Sequence, residues 1–363
     1  MTQHPTDPTQ SNTQSLPATP GRINWIDATK GLTIMMVVTM HISLGTQTML
    51  GGSDMWLVDF TNFVRPFRVP LFFIIAGLFA AKALQADWRK FLDTKILHFA
   101  YFYFLWASLQ LGIKLALPGE GNHSLGLADF WLLPFEPFAT LWFIYALALF
   151  FLVARLTRNL PPAFMLAFAL LLYAADVHTG WTAIDEFSGR FIFFLTGLHA
   201  SRLVLDFANW TNLHKVAALS ITSLGLAAVF VLQNNIVLEP RFDQLCAAFY
   251  GAAAVIAFMA AFSASAVMRP FTFVGERSLI VYLAFFLPGA ILRIGLAKTG
   301  WIEDGDAIAA FAITGAVILP LIGAWALTKT PLAFLFTRPK SFQLGKKKTD
   351  QVQPLEPVAT QAA

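Results

Sequence analysis

Residues 25–50 read WIDATKGLTIMMVVTMHISLGTQTML, in which Asp27 and Lys30 precede a long apolar run whose single ionisable residue is His41. About 20 mainly apolar residues suffice to cross a bilayer core, and the stretch 29–50 reaches that length. Such a segment must be helical, because hydrocarbon offers the backbone amides no water to bond. At about 1.5 Å and 100° per residue, His41 lies roughly 16 Å beyond Lys30 and within about 20° of its line. Asp27 falls within about 40° of that line, so all three share one helix face.

The rest of the chain repeats this pattern. Of 363 residues, 57% are hydrophobic and 13% charged, too little polar surface for a water-soluble enzyme. Apolar stretches recur near 29–50, 57–84, 91–117, 139–157, 161–176, 187–206, 214–233, 243–268, 277–298 and 306–328. The expected fold is therefore an all-α polytopic membrane bundle of about ten transmembrane helices. Residues 1–21 read as a disordered tail without the basic start or apolar centre of a signal peptide. Residues 22–330 form the membrane domain, and 331–363 read as a basic, disordered tail ending beyond Lys346, Lys347 and Lys348.

Charge counting supplies orientation. With ten spans both termini share one side, and that side carries 18 of the 25 Lys and Arg but 8 of the 21 Asp and Glu. The positive-inside rule then places both termini in the cytoplasm. The net charge of +4 is explained by these loop positions, so no nucleic-acid partner is expected. The loop 118–138, PGEGNHSLGLADFWLLPFEPF, is too polar at its start to cross, and its aromatic end suits the outer interface.

Each ionisable group inside a membrane costs about 2.5–3.5 kcal/mol on insertion scales, which makes three positions informative. His41 fits either a structural imidazole bonded to a neighbouring carbonyl or the end of a polar stripe that starts at Lys30 and suits an anionic reactant. Asn24 and Asp27 match a helix-capping pattern, giving Asp27 a capping or orienting role. In RPFRVPLFFIIAGLF (65–79), Arg65 and Arg68 are neighbours on one helix, beside Pro66 and Pro70. They either snorkel to the outer headgroups or line a cavity beside a locally opened helix. Gly77 permits close approach of another helix. Trp142, Arg190 and His199 read as packing or belt residues that face the same interior.

Other chemistries lack their parts. The single cysteine, Cys246, excludes an internal disulfide and a cysteine-rich metal site. No Walker loop, dinucleotide-binding glycine pattern, His-Glu-x-x-His motif or nucleophile elbow occurs in a suitable context. No metal is expected.

The polar residues together resemble the integral membrane acyltransferase family of the acyltransferase-3 type over residues 22–330. Lys30 and His41 have the spacing of the family's basic residue and histidine, with lysine where arginine is usual. Arg65 and Arg68 match its paired arginines, and PLFFIIAG (70–77) resembles the segment that follows, with Ala76 in a serine position. In GERSLIVYLAF (275–285), Gly275, Ser278, Leu279 and Tyr282 match, and Phe285 stands where the family has histidine.

The resemblance implies an O-acyltransferase of the bacterial inner membrane. It would move an acyl group, expected to be acetyl, from cytoplasmic acyl-CoA to a hydroxyl of an envelope glycan or lipid-linked sugar. His41 would be the base, Arg65 or Arg68 would stabilise the oxyanion, and Lys30 would attract the CoA phosphates or hold the imidazole cavity. Asp27, Ser278 and Tyr282 would support them. Acyl-CoA is the donor substrate, and no bound cofactor is implied. The alternatives are a secondary transporter or flippase for an anionic solute, using the same charged groups, and a catalytically silent sensor or scaffold.

Overall fold

The structure, a computed structural model, describes residues 23–116 and 129–344. The expected N-terminal tail, the polar start of the 118–138 loop and Lys346–Lys348 lie outside the described residues. The described chain is helical, with no strand. The long elements are α1 Asn24–Met49, α2 Trp56–Leu78, α3 Trp88–Leu115, α4 Ala139–Leu156, α5 Pro162–Ala174, α6 Thr182–His199 and α7 Ser201–Leu213. They are followed by α8 Lys215–Asn234, α9 Pro240–Phe262, α10 Arg269–Glu276, α11 Ser278–Ala284, α12 Phe286–Thr299 and α13 Gly305–Leu327. The protein is an all-α polytopic membrane protein.

Among the described residues, six helices (α1, α3, α4, α8, α9 and α13) are individually long and apolar enough to cross a membrane, with up to eight spans if each of two bent pairs counts as one. The bent pairs, α6 with α7 and α11 with α12, turn through 71° and 55°. These breaks correct two of the expected straight spans, 187–206 and 277–298. The first has a clear cause: α7 carries Arg202, Asp206, Asn209 and Asn212, which favour a turn aside into a wet interface. The other two expected stretches are α5, with 13 residues, and α2, which carries Asp59, Arg65 and Arg68.

Within α1, buried hydroxyls bond back to the helix's own carbonyls: Thr29 to Trp25, Thr33 to Thr29, Ser43 to Thr39 and Thr46 to Ile42, at 2.7–2.8 Å. Polar residues are thereby carried through the bundle without unpaired groups. The expected capping by Asn24 and Asp27 is not realised. The cap is Ile23 in extended conformation, with no side-chain cap bond. Asp27 lies inside the first turns and pairs with Lys30 at 3.3 Å.

Two glycine contacts set helix spacing. A Cβ on Gly31 would strike the Phe271 carbonyl of α10, and one on Gly275 would strike the Asp27 carbonyl of α1. Gly77 of α2 and Gly197 of α6 likewise face each other's backbones, which realises the close approach expected at Gly77. Both pairs use a missing side chain to bring backbones into contact.

The start of α13 lies against the start of α2, where Asp306 accepts the amides of Trp56 and Leu57 at 3.1 and 3.0 Å. The first turn of α1 and the last of α13 therefore lie together at a terminal end of the bundle, opposite a loop end. Residues 331–344, expected in the disordered tail, instead form two 3₁₀ turns laid against α3. Arg338 bonds the Asp93 carboxylate at 2.8 Å, Trp106 donates to the Leu335 carbonyl at 2.9 Å, and Tyr101 donates to that of Phe334 at 2.9 Å. A π-helical stretch of α3, Leu92–Leu97, presents Asp93 and Lys95 in this region.

Candidate active site

His41 lines a cavity of about 70 Å³ bounded by α1, α2, α4 and α11. From α1 it takes Ile34, Val37 and His41, which continue the face of Lys30 at spacings of four, three and four residues. The space thus runs from His41 back to within one turn of Lys30. Val69 and Phe72 close it from α2, Trp142 and Phe143 from α4, and Tyr282 from α11. His41 has a ring contact with Phe285 at 5.5 Å between centroids. Neither of its nitrogens has a hydrogen-bond partner among the described residues. A structural imidazole bonded to a carbonyl is therefore not what the helix carries.

Tyr282 is buried, and its hydroxyl is already engaged: it donates to the Thr140 carbonyl at 2.8 Å and accepts from the Ile144 amide at 3.3 Å. It fixes the first turn of α4, and with it Trp142 and Phe143, around the cavity. Ser278, one turn earlier on α11, is half-buried and outside that lining.

Arg65 and Arg68 face a second cavity, of about 710 Å³, at the loop end. α2 remains helical through Pro66 and Pro70, which corrects the expected opening of the helix. Side chains satisfy carbonyls of the turn before Pro66 instead: Arg68 Nη1 donates to Thr61 O at 2.8 Å and Gln233 Nε2 to Phe63 O at 2.7 Å. The cavity also takes Glu186 and Arg190 from α6 and Arg241 from α9. Arg190 pairs with Glu186 at 2.8 Å and lies 5.6 Å over the ring of Trp142, which itself lines the His41 cavity.

The two spaces are separate, and Val69 lines both. Arg68 lies within electrostatic reach of His41 across this partition. The structure thus associates His41 with Arg68, whereas Arg65 faces only the larger cavity. His41 and the two arginines thus line two adjoining cavities and not a single one.

At the terminal end, Lys30 is joined by residues that the sequence reading left without a role. Lys95 lies within electrostatic reach of Lys30 and 4.6 Å over the ring of Phe151. His98 sits one turn on, within reach of Lys95 and Arg338. The spacing of Lys95 and His98 in the third span was a visible signal, whereas Arg338 was hidden in the supposed tail. His199 does not share the interior of Trp142 and Arg190; it lines a groove with Leu84 and Arg158.

A family model described as an acyltransferase domain, of the acyltransferase-3 type, matches residues 23–329. The chain belongs to this family. It is accordingly an acyltransferase, and the membrane bundle is its catalytic domain. An acyltransferase of this type needs an acyl donor and a hydroxyl-bearing acceptor. No curated protein and no solved structure matches the chain.

Proposed function

We propose that this acyltransferase moves an acetyl group from cytoplasmic acetyl-CoA to a hydroxyl of an envelope glycan or lipid-linked sugar on the outer side of the plasma membrane. The terminal end, with the first turn of α1 and the last of α13, faces the cytoplasm, as the bias of basic residues supports. Lys30, with Lys95 and His98 nearby, meets the phosphates of the donor there, and the thioester reaches along the Ile34 face to His41. The cavity of about 70 Å³ has room for about two waters' share of liquid volume, which favours a short acyl group.

His41 acts as the general base. Its free ring nitrogen takes the acceptor's hydroxyl proton as the oxygen attacks the thioester carbonyl. The tetrahedral oxyanion that forms is stabilised by the positive field of Arg68, which reaches the His41 cavity from across Val69. Collapse breaks the carbon–sulfur bond, and the imidazolium returns its proton to the leaving thiolate, giving an ester and free CoA. Arg65 carries the acceptor side of this arrangement, while Asp27 orients Lys30 and Tyr282 orients α4.

The observation that carries this reading is His41, without a hydrogen-bond partner among the described residues and facing a cavity. Purified protein in nanodiscs, supplied with acetyl-CoA and an envelope glycan extract, tests it by mass spectrometry for acetyl increments. Transfer is expected from the wild type and from His199→Gln, and is lost in His41→Ala. Transfer that persists in His41→Ala, or solute flux without acyl consumption, overturns the proposal.

A further inference from the structure

The larger cavity is short of negative charge. Asp185, on its wall, is occupied by the Thr179 amide and hydroxyl at 2.7 and 2.8 Å and the Gly180 amide at 3.1 Å. Asp243 is occupied by the amides of Val237 and Leu238 at 3.0 and 3.2 Å. Glu186 is taken by Arg190, and Arg241 pairs with Asp176 at 3.0 Å. That leaves Arg65 exposed and without a partner among the described residues. Arg68 makes its one bond to Thr61 and keeps a buried Nε unpaired.

Arg68 is also within electrostatic reach of both Arg65 and Arg190. Three guanidiniums so placed repel one another, and a bound anion removes that cost while supplying the missing acceptors. The volume, about 710 Å³, falls in the range of small-molecule sites. Its rim adds Asn234 and Asn235, whose amide nitrogens are tied to Phe230 O and Val231 O. Their amide oxygens remain available to hydroxyls.

We infer that this cavity binds an anionic carbohydrate, a sugar bearing a carboxylate or a phosphate, with Arg65 and Arg68 as the anion's ligands. That this sugar is the acyl acceptor rests on the proposed transfer; the anion site itself does not. Held there, the sugar reaches the thioester only if one of its hydroxyls passes Val69 into the His41 cavity.

The test measures binding to the full chain in nanodiscs without acyl-CoA, using methyl glucuronide, glucose 1-phosphate and methyl glucoside as probes. At least one anionic probe is expected to bind ten-fold or more tightly than the neutral one, and the two anionic probes show whether carboxylate or phosphate is preferred. Arg65→Gln abolishes the preference and Arg65→Lys partly restores it. Equal affinity for all three probes, or a preference untouched by Arg65→Gln, overturns the inference. In a parallel transfer assay, acetylation of the neutral sugar alone leaves the acyltransfer reading standing without this one. Anion preference with no acyl transfer does the reverse.

Discussion

The ring of Phe285 lies 5.5 Å from that of His41 and is inclined to it by 36°. Phe285 is fully buried and sits at the break between α11 and α12, in the position where the family has a histidine. It cannot move a proton, so its part is to hold the imidazole by packing. Phe285→Ala is expected to lower stability by about 3–5 kcal/mol, as for other buried phenylalanines, whereas Phe285→Leu preserves most of it. Thermal unfolding of the two variants in the same detergent distinguishes them.

His41 itself should matter to rate and not to folding. His41→Gln is expected to reduce acyl transfer by about 10²–10⁴-fold, the usual contribution of a positioned base, with an unfolding temperature close to that of the wild type. A comparable loss of both would assign the ring a packing role.

For Arg68, the charge and its direction both count. Arg68→Ala is expected to lower kcat by about 10-fold to 10²-fold, less than when a donor in contact with the oxyanion is removed. Arg68→Lys should recover part of this, because the charge remains while the bond to Thr61 changes. Steady-state kinetics of the two variants with acetyl-CoA in excess reads the difference.

Gly275 faces the backbone of Asp27 with no room for a side chain. Gly275→Ala is expected to destabilise by about 1–3 kcal/mol through overpacking, and Gly31→Ala similarly from the other side of the contact. Gly112, with nothing beside it, provides the control: Gly112→Ala should be neutral or slightly stabilising in the helix. Unfolding temperatures rank the three.

Arg338 is almost fully buried against Asp93, so removing it strands a carboxylate. Arg338→Ala is expected to cost toward the lower end of the roughly 3–5 kcal/mol seen for broken buried pairs, and to free residues 331–344 from α3. Limited proteolysis should then cut near Phe342 in the variant and spare the wild type.

The sequence made the apolar stretches legible because hydrocarbon imposes its demand on composition, one helix at a time. It also showed that Lys30 and His41 share a face, since that follows from the helical repeat alone. The bends at Ala200 and Phe285 depend on neighbours, and a hydropathy run does not record them. The capping pattern at Asn24 misled because Ile23, already extended, starts the helix one residue earlier. The loop-end cavity was beyond reach for a different reason: Arg68, Arg190 and Arg241 belong to α2, α6 and α9, and only helix packing makes them neighbours. Arg338 was read as part of a basic tail because its partner, Asp93, lies far away in sequence.

Val69 is the one side chain bordering both cavities. Where a lipid bilayer interposes about 30 Å of oil, two chambers here stand back to back across a single aliphatic wall. Under the proposed transfer, carrier and recipient would meet at this residue, so the bulk of one side chain would govern their encounter.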